Sequence, residues 1–141
     1  KIGGTPMATQ DDVRRLALSL PGVAEDPGRF AFSLANGGRK RAFAWVWMER
    51  QTAKGPRAPR PDVLAIRGAS VEASQALIGS APDTFFTEPH YHSFPAVLAW
   101  LDMIPIEQLE ELLLAGWMLQ APKALATAFA PNGTRAQSPR P

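Results

Sequence analysis

Apolar residues recur at Val13, Leu16, Ala17 and Leu20. That i, i+3, i+4, i+7 spacing lays a single stripe along one side of a helix. Thr9 offers a hydroxyl to the free amides of the first turn, and Asp11 and Asp12 suit the positive end of the helix dipole. Pro21-Gly22 stops the helix. The period then drops to two. Phe30, Phe32 and Leu34 alternate as in a half-buried strand, and Asn36-Gly37-Gly38 forms a turn from residues that tolerate positive φ. The next strand runs from about Arg41 to Met48, with Phe43, Trp45 and Trp47 on one face and Ala42, Ala44, Val46 and Met48 on the other. Two apolar faces predict a central strand. Arg50 to Pro61 carries three prolines, four positive charges and no large apolar residue. It reads as a loop before a strand over Val63–Arg67.

Ser70 caps a predicted helix over Val71–Ile78, ended by Gly79. Thr84–Thr87 and Val97–Leu101 read as strands. Pro105 suits the first turn of a longer helix, whose Ile106, Leu109, Leu112, Leu113 and Trp117 share a broad face opposite Glu107, Gln108, Glu110 and Glu111. Pro122 starts a short helix carrying Leu125 and Phe129. Hairpin-linked strands with interspersed helices predict an α+β fold of two layers: an antiparallel sheet of about five strands with helices packed on one face. One domain is expected over residues 7–130. Residues 1–6 read as an upstream extension or an expression scar. Residues 131–141, rich in Pro, Asn, Gly, Thr, Arg, Gln and Ser, read as a disordered tail.

Composition narrows the chemistry. The 141 residues include no cysteine, which excludes a disulfide framework, a thiol nucleophile and thiolate metal sites. No apolar run approaches the length of a membrane span, and a cytoplasmic protein without a membrane partner is expected. The net charge of +2 conceals a segregation. Between Arg39 and Arg67, eight basic residues face only Glu49 and Asp62, a local charge of +6. Between Gly68 and Pro122 there is no lysine or arginine, and seven carboxylates give −7. A polyanion would meet the first region and be repelled by the second.

Pro82–Leu101 holds both histidines, the only tyrosine, three phenylalanines and three prolines. The prolines forbid a continuous helix, and the aromatics are too many for a solvated linker. A packed, irregular connection is expected, the kind of segment where sites tend to lie. Its Phe85–Leu101 portion, the opening helix with its Leu20-Pro21-Gly22 stop, the Pro61–Arg67 strand and the closing Gly116–Leu125 segment resemble the MmcQ/YjbR-like family of small bacterial α+β domains. Ser93-Phe94 stands where that family has glycine-tyrosine, and Glu88 where it has threonine. The resemblance implies a fold similar to double-wing DNA-binding domains.

Three functional readings follow. The first is a non-enzymatic domain that binds double-stranded DNA weakly and without sequence preference, through two basic hairpin turns: Arg39, Lys40 and Arg41, and Arg50, Lys54, Arg57 and Arg60. No helix offers polar side chains suited to base edges. The second is a module for a small anion or a protein, built on a cleft where His90, Tyr91, Trp117 and Lys123 converge. The third is a metal held by Glu88, His90 and His92, in phase if they lie on a strand; a packed and a surface histidine is the blander account, and no metal or cofactor is expected. The four tryptophans fit the core better than they fit stacking platforms for bases.

Overall fold

The computed structural model describes residues 8–50 and 52–129. The expected N-terminal extension and disordered tail lie outside the described residues. Six strands form one open antiparallel sheet. They are β1 (Ala24–Glu25), β2 (Ala31–Asn36), β3 (Arg39–Arg50), β4 (Arg57–Arg67), β5 (Phe85–Phe86) and β6 (Ala96–Trp100), in the order β1-β2-β3-β4-β6-β5. The helices are α1 (Gln10–Leu18), α2 (Val71–Ser80), α3 (Ile106–Gln120) and α4 (Lys123–Phe129). The α+β class and the two-layer arrangement hold. The strand count rises from about five to six, because β1 is two residues long and too short to leave a periodic signal.

Local chemistry sets the helix ends. Thr9 and Asp12 form a reciprocal capping box on α1. α1 ends at Leu18 with Ser19 as its C-cap, short of the expected Pro21-Gly22 stop, and Gly22 takes φ 77° in the turn that follows, a conformation that side chains disfavour. Ser70 caps α2 by accepting from the Ala73 amide at 3.0 Å. Gly79 does not end α2; it stays inside the helix, which closes at Ala81.

The sheet departs from the sequence expectation in two places. Pairing of β2 with β3 shifts between Phe32 and Ser33, which oppose Ala44 and Ala42, so Phe43 is an extra residue. This bulge breaks the alternation. Phe43 joins the core beneath the helices, whereas Trp45 and Trp47 join a second cluster with Val63, Ala65 and Leu98. The three aromatics expected on one face are therefore divided between two. Second, the Arg50–Pro61 loop is largely strand. Arg57 pairs with Arg50, Pro59 with Met48 and Arg60 with Trp47. Pairing with β6 begins only at Val63, so the outer edge of this segment is unpaired and tolerates a proline without an N–H. The result is a two-stranded ribbon projecting from the sheet.

The main core lies between the sheet and the helices. Trp117 is fully buried there, and its Nε1 donates to the Pro21 carbonyl at 2.9 Å. Gln120 Nε2 donates to the Ala42 carbonyl at 2.8 Å, and Asn36 Nδ2 to the Gln120 carbonyl at 2.9 Å. Gly116 lets α3 lie directly on the sheet: a Cβ there would stand 3.2 Å from the Arg67 carbonyl oxygen and 3.4 Å from that of Phe43. Those oxygens belong to ladder strands and cannot step aside. Gly116→Ala is therefore expected to lose about 1–2 kcal/mol in urea unfolding, the overpacking strain exceeding the gain in helix propensity.

Candidate anion-binding cleft

The face of the sheet away from the main core is closed by side chains. Trp47 and Leu98 are buried in it, and Phe86 stacks on Trp100 with centroids 5.0 Å apart. The segment after β5 turns back over this face as a short 3-10 turn, Pro89–Tyr91. Its amides are satisfied locally, Tyr91 N on Glu88 O at 2.8 Å and Phe94 N on Tyr91 O at 3.1 Å. Trp45 Nε1 donates to the Tyr91 hydroxyl at 3.1 Å and ties the turn to β3. The His90 ring meets Tyr91 edge-on at 5.4 Å, and the Phe94 ring lies against both Trp45 and Tyr91 at 6.2 Å.

Between this turn and the β3–β4 ribbon lies a cleft of about 530 Å³, lined by Arg29, Trp45, Met48, Arg57, His90, Tyr91, Ser93 and Phe94. Arg29 comes from the loop before β2. That loop is closed by Asp26 N donating to Ala31 O at 2.8 Å and by the Gly28 amide donating to Asp26 Oδ1 at 2.7 Å. The Gly28 amide, foremost, then Lys40 and the nearby Arg29 charge hold the Asp26 carboxyl below the usual aspartate range. Arg57 opens β4, and one of its guanidinium nitrogens donates to the Met48 carbonyl at 2.7 Å. Among the described residues no carboxylate lines the cleft. Among the described residues neither Arg29 nor Arg57 forms an ion pair. The Tyr91 oxygen accepts from Trp45, so its own proton is free for an acceptor in the cleft. The cleft thus presents two guanidiniums and a free hydroxyl proton on one side of the sheet.

The predicted site residues are redistributed. His90 and Tyr91 share the cleft, but Trp117 and Lys123 do not reach it. Trp117 is sealed in the core under the helices, and Lys123 lines a separate depression with Asn36, Met118 and Thr127. The four-residue convergence is thus corrected, because the sheet stands between its two halves. Glu88, His90 and His92 do not form a strand face, since Pro89 starts a 3-10 turn, and no metal-competent cluster of three occurs among the described residues.

The basic residues also separate. Arg39, Lys40 and Arg41 stand at one end of β3, while Arg50, Arg57 and Arg60 stand at the other. From Arg41 to Arg50 the strand rise gives roughly 30 Å. Lys40 pairs with Asp26 at 3.3 Å. Arg60 is pinned by Asp62 and Glu49, both at 2.9 Å, and its guanidinium lies 5.3 Å from the Trp100 ring centroid. These hydrogen bonds, Asp62's first, raise the Arg60 pKa and leave its charge already matched. Arg50 donates to the Gly55 carbonyl, and Lys54 is exposed in the turn. Arg29 was missed in the sequence. Asp26-Pro27-Gly28 marks a turn, but only the fold carries the following arginine to His90.

No family model matches the chain. The uncharacterized protein Rv2570 of Mycobacterium tuberculosis strain H37Rv is 36% identical over 127 residues, covering 89% of this chain and 98% of the relative. The same figures hold for the uncharacterized protein Mb2600 of Mycobacterium bovis. The chain belongs to the family of these mycobacterial proteins. Among solved structures it is similar to the Deinococcus radiodurans protein DR2400, described as a DUF419 domain. The TM-score is 0.59 at 25% identity, over 82% of this chain and 80% of that one. No helix among the described residues is long and apolar enough to cross a membrane.

The Trp45–Tyr91 hydrogen bond anchors the turn that forms one wall. Tyr91→Phe is expected to cost about 1 kcal/mol in urea unfolding, the usual worth of a partly buried hydrogen bond.

Proposed function

We propose that this protein is a cytoplasmic, non-catalytic binding domain for a small anionic ligand, held in the cleft between the Pro89–Tyr91 turn and the β3–β4 ribbon. The observation that carries the reading is the pairing of two guanidiniums without carboxylate partners, Arg29 and Arg57, in a concave site with no carboxylate in its lining. Guanidinium forks match carboxylate and phosphate oxygens in pairs. His90 and the Tyr91 hydroxyl add further donors. A cleft of about 530 Å³ lies in the range of small-molecule sites. Kinship with the MmcQ/YjbR-like family belongs to the same proposal; the likeness to the DUF419 domain supports it at the level of a small α+β fold.

The test is calorimetric titration with inorganic pyrophosphate, with Arg29→Ala and Arg57→Ala made singly and together. Each substitution should weaken binding about tenfold or more, since a hydrogen bond to a charged group is worth about 1.5–3 kcal/mol. Lys123→Ala should change nothing. Equal affinity in the double variant, with circular dichroism unchanged, rejects the cleft.

The projecting ribbon favours a second reading, contact of Arg50, Lys54 and Arg57 with the phosphates of double-stranded DNA. A handful of such contacts predicts a more than tenfold fall in affinity for a short duplex between ~50 and ~200 mM salt. Arg50→Ala with Lys54→Ala should flatten that slope. Binding indifferent to salt argues against the ribbon.

A further inference from the structure

The cleft has a second wall that an anion alone would not use. Trp45, Tyr91 and Phe94 stand side by side along it, and Phe94 keeps 40% of its surface exposed although its ring is packed on three sides. Trp45 meets it edge-on at 6.2 Å and 60°, Tyr91 is tilted against it at 6.2 Å, and the Arg67 guanidinium lies over one face of the ring, 5.5 Å from its centroid, so that a ligand stacks on the other face. These contacts hold the ring in place rather than bury it. A fixed and still accessible aromatic ring costs little ordering entropy when a planar group stacks on it. The two unpaired guanidiniums line the same cleft. The site therefore offers two chemistries at once: a stacking surface and a paired cationic grip.

We infer that the ligand is a nucleoside phosphate, its base stacked on Phe94 and its phosphates held by Arg29 and Arg57. This deepens the anion-binding reading and rests on it. Phosphate alone would leave the aromatic wall hydrated, and a neutral aromatic would leave two guanidiniums unmatched. A molecule with a planar ring at one end and a polyphosphate at the other answers both. Stacking makes no hydrogen bond to a base edge, so purine and pyrimidine are both accepted.

The experiment titrates the intact protein with adenosine 5′-diphosphate, uridine 5′-diphosphate, inorganic pyrophosphate and adenosine. Either nucleotide should bind at least about fivefold more tightly than pyrophosphate, the gain one base–aromatic stack supplies. Phe94→Ala should remove the nucleotide's advantage over pyrophosphate, both measured on the same variant, and Phe94→Trp should keep it. Unchanged circular dichroism in both variants keeps a loss of affinity separate from a loss of fold. Nucleotides no tighter than pyrophosphate, or a gain that survives Phe94→Ala, would overturn the nucleotide inference while leaving the anion site standing. Failure of all the phosphates to bind overturns both. Binding of adenosine as tight as the diphosphate overturns the role of the arginines.

Discussion

The close approach of α3 to the bulged strand β3 is the constraint on which the rest of the molecule depends. At Gly116 the helix backbone lies so near the sheet that an added Cβ would press on the carbonyl oxygens of Arg67 and Phe43. One turn on, Gln120 reaches the Ala42 carbonyl, and its own carbonyl takes the Asn36 amide. Trp117, between them, fills the core and donates to Pro21 just past α1. Helix, bulged strand, hairpin end and the stop of the first helix are thus fastened at one seam. The Trp117 Nε1, Gln120 Nε2 and Asn36 Nδ2 donors in it each have a carbonyl partner, the condition under which such groups specify a packing rather than weaken it.

The bulge has its consequence on the other face. An unbroken alternation would have carried Phe43 to the same side as Trp45 and Trp47. With one residue inserted, Phe43 goes under the helices and the two indoles go to the far side. No helix among the described residues covers that side. It is closed instead by Phe86, Tyr91 and Trp100, and by a proline-rich turn whose hold on β3 is the Trp45–Tyr91 hydrogen bond. The cleft is the gap left where this cover ends and the ribbon begins. Its cations arrive from elsewhere in the chain, Arg29 from a tight Asp-Pro-Gly loop and Arg57 from the first residue of β4.

Much of this architecture is legible in the sequence because its causes are local. The stripe from Val13 to Leu20, the Thr9 cap, the Gly37-Gly38 turn and the apolar face of α3 follow from periods and caps that a short window contains. The misread parts have non-local causes. A bulge at Phe43 is set by what β2 and α3 require of β3, and nothing in the alternation announces it. The prolines at 59 and 61 signal a loop unless it is known that the outer edge of the ribbon has no partner strand. Likewise Trp117 and Lys123 stand near His90 only in a picture without the sheet between them.

The charge map changes meaning once it is folded. In sequence, +6 between Arg39 and Arg67 suggests a surface for a polyanion. In space those charges lie at both ends of a 12-residue strand, and three of the nearest carboxylates are spent on them. Asp26 takes Lys40, while Glu49 and Asp62 take Arg60. Opposite charges a few ångströms apart cancel at distances beyond the screening length, about 8 Å in physiological salt. What remains is local: the guanidiniums of Arg29, exposed, and Arg57, half-buried, which form no ion pair among the described residues and line one cleft. A field with that shape selects a ligand that brings its negative charge into the cleft, and it gives little purchase to one that would have to spread its charge along the whole of β3.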